Sequence, residues 1–288
     1  MVANKTEEHN NPLINKNIIV DELKQHLNSM FNFASNVPYK KNHLLPLIQA
    51  SKSLIGLNLD NPPRNLLKWL EQYFKGFEPN HQLLEYLNDE EKHNILSIQH
   101  LEELIINKMT KESRKYLYHL LKVADSRHIM EAILELSLQF STASTLFCWS
   151  AFKSILFIDN AIGIISLSMD CLEKNNQGKD ANQNLRDDFY FYCHYHQMIK
   201  TEMVRFNKIN PKLCNKMKSL KDVEKYFINI PEKLATYIQK DGEKGLVHYL
   251  LELKISELSS ENILLLDALR SAIRYSSKTE NIFNYSIK

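Results

Sequence analysis

The chain has 288 residues, 44% of them hydrophobic and 24% charged, with a formal net charge of +2. That is long enough for one large or two small domains with a real core. The interspersed, nearly balanced charge excludes bulk nucleic-acid binding, which needs a basic stripe, and the six glycines, none in a Gly-rich loop, exclude a P-loop or dinucleotide fold.

No Pro lies between Pro79 and Pro211, and that window holds only Gly163 and Gly178. Sandwiches and parallel sheets need turn formers far more often, so an all-α fold is expected. Residues 1–16 are polar, carry no apolar segment of signal-peptide type, and are expected to be disordered. An N-terminal bundle is expected over 17–88. In "IIVDELKQHLNSMF", Ile19, Leu23, Leu27, Met30 and Phe31 form one helical stripe. "PYKKNHLLPLIQASKSLIG" runs from Pro38 to Gly56, with Pro46 expected to kink or split it. "DNPPRNLLKWLEQYFKG" puts Leu66, Leu70, Tyr73 and Phe74 on one face and stops at Gly76.

A helical core is expected over 89–207, with helices near 89–108, 111–123, 126–139, 144–173 and 187–207; a further helix over 80–87 precedes it. The polar, Gly-bearing stretch 173–187 reads as a surface loop. The best membrane candidate is 136–172; its longest uncharged run, Leu136 to Phe152, carries many hydroxyls and falls short of the ~20 apolar residues of a membrane span, so no transmembrane segment is expected. C-terminal helices are expected over 208–288, near 211–218, 220–229, 231–240, 243–257 and 260–275. Cys148, Cys171, Cys193 and Cys214 form no CxxC pair and read as reduced thiols in a cytoplasmic protein.

Three stretches bear chemistry. "RDDFYFYCHYHQM", 186–198, gathers aromatic rings, a cysteine and two histidines. His194 and His196 stand two apart, which on a helix points them to opposite sides, so no metal site is assigned there. Glu90 with His93, and Asp125 with His128, have the carboxylate-x-x-His spacing of di-iron bundles, but further carboxylates at matching positions are not apparent. "VADSRHIMEAILELSLQF", 123–140, puts Asp125 at the entrance of an amphipathic helix. That is the position of an N-cap. No nucleophile elbow occurs.

An acidic residue opening a helix, a polar Gly-bearing loop and then an aromatic helix start resembles the vacuolar-protein-sorting-nine (VPS-nine) domain family. The carrying residues are Ala124-Asp125-Ser126 with the apolar helix that follows, and Asp187-Asp188-Phe189-Tyr190-Phe191. Ser126 stands where the family has a second acid, and Ile129 where it has a proline. A second register, on "NVPYKKNHLLPLIQASKSLIG", would lose both functional side chains. The resemblance implies an all-helical fold, a small N-terminal bundle packed on a VPS-nine-like core. It implies a guanine-nucleotide exchange factor for endosomal, Rab-five-type small GTPases. Asp125 would be the acidic finger that engages the P-loop lysine and displaces magnesium. Tyr190 would be the paired tyrosine, with Tyr192 its nearest substitute. Exposed parts of Ile129, Ile133 and Phe189 would receive the switch aromatics. No cofactor is implied. Usage rich in Lys, Asn and Ile would suit a pathogen effector acting near host endosomal membranes. The alternatives are a helical enzyme with a deep polar pocket, a di-iron helical protein and a non-catalytic helical interaction protein.

Overall fold

The computed structural model describes residues 12–40, 43–79, 96–158, 161–175, 185–200, 211–219 and 230–276. Among them are thirteen α-helices and no strand. In chain order they are α1 (Pro12–Ser35), α2 (Leu44–Ile55), α3 (Arg64–Phe74), α4 (Ile98–Ile106), α5 (Thr110–Leu120), α6 (Ser126–Ser137), α7 (Thr142–Ser154), α8 (Ile162–Asn175), α9 (Leu185–Lys200), α10 (Pro211–Ser219), α11 (Glu232–Asp241), α12 (Glu243–Glu252) and α13 (Ser260–Tyr275). No helix is long and apolar enough to cross a membrane.

Several expectations shift. The expected disorder of 1–16 gives way at Pro12, which opens α1; proline suits a first turn because its missing N–H would have no partner there. Pro46 lies in the first turn of α2 and so costs no intrahelical bond, and the kink is absent. The expected continuous helix over 144–173 is two helices, broken by a 3-10 turn at Ile155–Phe157 and extended backbone at Ile158. The break lets α8 return alongside α7, where Asn175 donates to the Ser144 hydroxyl at 3.1 Å. The expected loop over 173–187 is helical at both ends, where α8 runs to Asn175 and α9 begins at Leu185; residues 176–184, the expected helices at 80–87 and 220–229, and Glu90 and His93 lie outside the described residues.

Four helices make a closed circuit: α2 packs on α7, α7 on α9, α9 on α13, and α13 on α2. Their side-chain pairs show that they run parallel. His43, at the start of α2, meets the Phe147 ring, while Gln49 accepts from Ser154 about two turns further along each helix. Thr142 and Asp188 pair near the starts of α7 and α9. Along α9 and α13, Arg186 pairs with Glu261, His194 approaches Asp267 at 3.9 Å, and Ser271 donates to Gln197 at 2.8 Å. Parallel neighbours need return crossings. Helices α3 to α6, α8, and α10 to α12 lie in those crossings. The α11–α12 crossing is tight: Gly242 sits at φ +56°, and a Cβ on Gly245 would stand 1.9 Å from the Tyr237 carbonyl oxygen.

One hydrophobic cluster runs through the molecule, with Phe31, Leu44, Ile48, Leu70, Tyr116, Ile133, Trp149 and Phe191 among its deepest members. The ring takes α2 from segment 17–88, α7 and α9 from 89–207, and α13 from 208–288. The three segments therefore share one core.

Candidate functional site

Inside the ring, toward the helix N-termini, lies a cavity of about 800 Å³, within the size range of small-molecule sites. Helix α7 lines it with Thr142, Leu146, Phe147, Trp149 and Ser150, the period of one helical face. Helix α9 contributes Asp187, Asp188, Tyr190 and His194, and α13 contributes Glu261, Leu264 and Asp267. Tyr39, His43 and Leu47 close the α2 side, and Lys216 of α10 stands at the rim.

The mouth is built by caps. His43 caps α2: its Nδ1 accepts from the Leu45 N–H at 3.1 Å, so Nε2 carries the proton and donates to the Val37 carbonyl at 3.0 Å. Ser141 caps α7 and Ser259 caps α13. Asp187 sits in the first turn of α9 and Glu261 in that of α13, where the helix dipole favours negative charge. Arg186 pairs with Glu261 and lies 3.7 Å from Asp187.

The floor is a buried ionic cluster. Arg270 Nε donates to Asp267 Oδ1 at 2.7 Å, and Lys153 Nζ lies 3.5 Å from Oδ2. Burial alone would raise the Asp267 pKa, but Lys153 and Arg270 outweigh it and hold the carboxyl well below the usual range. Lys52 lies behind them. It donates to the Lys153 carbonyl at 3.1 Å, closing the end of α7, and sits 3.7 Å from the Phe157 ring centre. Burial, then the Lys153 charge, pulls its pKa down to about 6.

Four buried polar atoms of residues that line the cavity have no hydrogen-bond partner among the described residues: Nε1 of Trp149, a residue 1% exposed, Oδ2 of Asp188, a residue 2% exposed, Nδ1 of His194 and Nε of Arg186. The other Asp188 oxygen accepts from Thr142 at 2.7 Å. A buried donor or acceptor left unmade costs about 1–3 kcal/mol, so such atoms concentrate at places with a reason for them.

Burial shifts the titration of groups facing the cavity. Burial lowers His43 to about 4. Burial and Lys153 lower His194 to about 3. Burial raises both Tyr39 and Tyr190 well above the usual phenol value. Burial also lowers Lys216, partly offset by Asp188.

Compared with known proteins, the chain matches no family model, no curated protein and no solved structure.

The residues singled out in the sequence divide between two places. Asp125 caps α6, accepting from the Arg127 N–H at 2.9 Å, and its side chain is exposed. Tyr190 lines the cavity; it is 7% exposed, and its hydroxyl donates to the Glu261 carbonyl at 3.2 Å. Helix α6 packs on α7, α8 and α4, whereas α9 packs on α13, α7 and α10. No hydrogen bond joins Asp125 to Tyr190. Ile129, Ile133 and Phe189 are buried. The expectation that they show apolar surface is therefore corrected, because their helix faces point into the core. Tyr192 is half-buried against that core. Among the described residues no group of three His, Cys, Asp or Glu side chains could hold a metal ion. Trp149, Thr142 and Lys216 carried no sequence signal of a site, and Asp188 lies in the stretch that carries the resemblance without a role of its own there.

Proposed function

We propose that the protein binds an organic small molecule in the half-open cavity lined by α2, α7, α9 and α13. The observation that carries this reading is the set of buried, unpartnered polar atoms, Trp149 Nε1 and Asp188 Oδ2 among them, on residues that line a cavity of about 800 Å³. Aromatic and apolar walls with a few fixed polar groups are the ordinary build of a ligand site. The two histidines on the wall favour recognition over acid–base chemistry. A general acid or base works best with a pKa near the operating pH, and His43 and His194 stand far below it. A ligand-observed NMR screen of small polar aromatics and aliphatics against the full chain tests the reading. Saturable binders are expected, and Ala143→Trp, which fills the partly exposed rim, should abolish their binding. A screen whose binders are all indifferent to Ala143→Trp would refute it.

One observation favours the exchange-factor reading as a second proposal. The exposed Asp125 carboxylate stands two residues from Val123, which is 70% exposed. A charged group beside an apolar side chain on an outer turn suits insertion into a GTPase. Loss of the N-cap in Asp125→Ala should cost about 0.5–2 kcal/mol of stability on either reading. The exchange reading alone expects most release of labelled GDP from an endosomal Rab to disappear in that variant. Equal release by both proteins would end it.

A further inference from the structure

The unpartnered oxygen of Asp188 indicates what kind of ligand the cavity takes. Three of the four carboxylates on the wall already have cations. Asp267 is held by Lys153 and Arg270, and Glu261 and Asp187 lie beside Arg186. Asp188 has one neutral donor, Thr142, on Oδ1 and no donor on Oδ2. The cation nearest in effect is Lys216, whose charge acts on Asp188. Its ammonium donates instead to the Phe140 carbonyl.

A buried carboxylate oxygen without a donor is most strongly satisfied by a charged N–H group, because charge-assisted hydrogen bonds are roughly twice as strong as neutral ones. Aromatic rings also line the cavity: Tyr39, Phe147, Trp149 and Tyr190. Ring faces attract organic cations, and an apolar stem would lie against the same walls. We infer that the cavity takes an alkyl or aryl amine, with its ammonium on Asp188 Oδ2 and its carbon body among the aromatic rings. The inference rests on the cavity being a ligand site and adds the charge and donor character of the ligand.

Three probes of equal length separate the two claims: hexylamine, hexanol and hexanoate. The readout is the indole N–H resonance of Trp149, one of two tryptophans in the chain, assigned with Trp69→Phe. Each probe is titrated at neutral pH to about 10 mM, which covers the millimolar affinities that small fragments reach. Hexylamine should shift the resonance saturably and bind most tightly. Asp188→Asn keeps an acceptor for Thr142 and should weaken hexylamine about tenfold, in line with a lost charge-assisted bond. Lys216→Met removes a competing cation and should tighten hexylamine about threefold, consistent with a partly screened like charge. A variant that merely loosened the fold would not tighten binding. Hexanol or hexanoate binding as tightly as hexylamine overturns the amine and leaves the cavity reading in place. Unchanged hexylamine affinity in both variants overturns it as well. Silence of the Trp149 resonance to all three probes also overturns the amine; the cavity reading then falls only if the wider screen finds no binder sensitive to Ala143→Trp.

Discussion

His43 shows how one side chain can fix a local structure and make it sensitive to acid. Its Nδ1 lone pair caps α2, and its Nε2–H ties back to Val37, so both ring atoms are used in the neutral form. Protonation would put a hydrogen on the atom that accepts from Leu45. With a folded pKa near 4 against about 6.5 in the unfolded chain, the unfolded state takes the proton first as the pH drops. The stabilising contribution is therefore fully present above the unfolded pKa and is lost as pH falls through the folded one. His194, lowered to about 3, acts with the same sign. Urea denaturation should show stability falling between about pH 6.5 and 4, by on the order of 2–3 kcal/mol for His43 alone. His43→Gln should flatten part of that slope. A slope unchanged by the substitution would contradict the protonation argument. Asp125 illustrates the opposite lesson. The sequence placed it correctly at a helix entrance, and the capping bond follows from that position. Nothing in the local sequence could tell whether the carboxylate also meets a tyrosine more than sixty positions away.

At the scale of elements, most helices were legible because their apolar positions recur with helical period. Leu27, Met30 and Phe31 on α1, and Leu66 and Leu70 on α3, are buried as their spacing requires. The errors fall where tertiary contacts decide. The α7–α8 break carries no proline, and its end is closed by Lys52 reaching across from α2 to the Lys153 carbonyl. That partner is about a hundred residues distant in sequence, so no window could show it. Burial of Ile129, Ile133 and Phe189 was misjudged because a helix flanked on several sides has little exposed apolar stripe to spare. The floor of the ring depends on α13 presenting Asp267 to Lys153 of α7 and to Arg270 of its own helix. Removing one partner of a buried ionic cluster leaves uncompensated charge, which costs about 3–5 kcal/mol. Asp267→Asn should therefore lower the unfolding free energy by roughly that amount in denaturant titration. A loss under about 1 kcal/mol would mean that the cluster is not buried as described.

At the scale of the molecule, the all-α class followed from the scarcity of Gly and Pro, but the arrangement did not. Four parallel helices drawn from segments spread over 230 residues line the cavity, and sequence periodicity says nothing about which helices become neighbours. The aromatic cluster at 189–192 was visible from the start. In the fold, α9 turns Tyr190 of that cluster toward the cavity, with its hydroxyl on the Glu261 carbonyl of α13. The cavity's unpartnered polar atoms come from α7 and α9, separated in sequence by α8, and that juxtaposition exists only in the fold. The most direct measurement is a crystal structure of the full chain with a binder from the screen. The binder is expected within the ring, hydrogen-bonded to Trp149 Nε1 and Asp188 Oδ2. A binder ordered only on the outer surface, with those two atoms still without partners, would contradict the assignment of the cavity as the functional site.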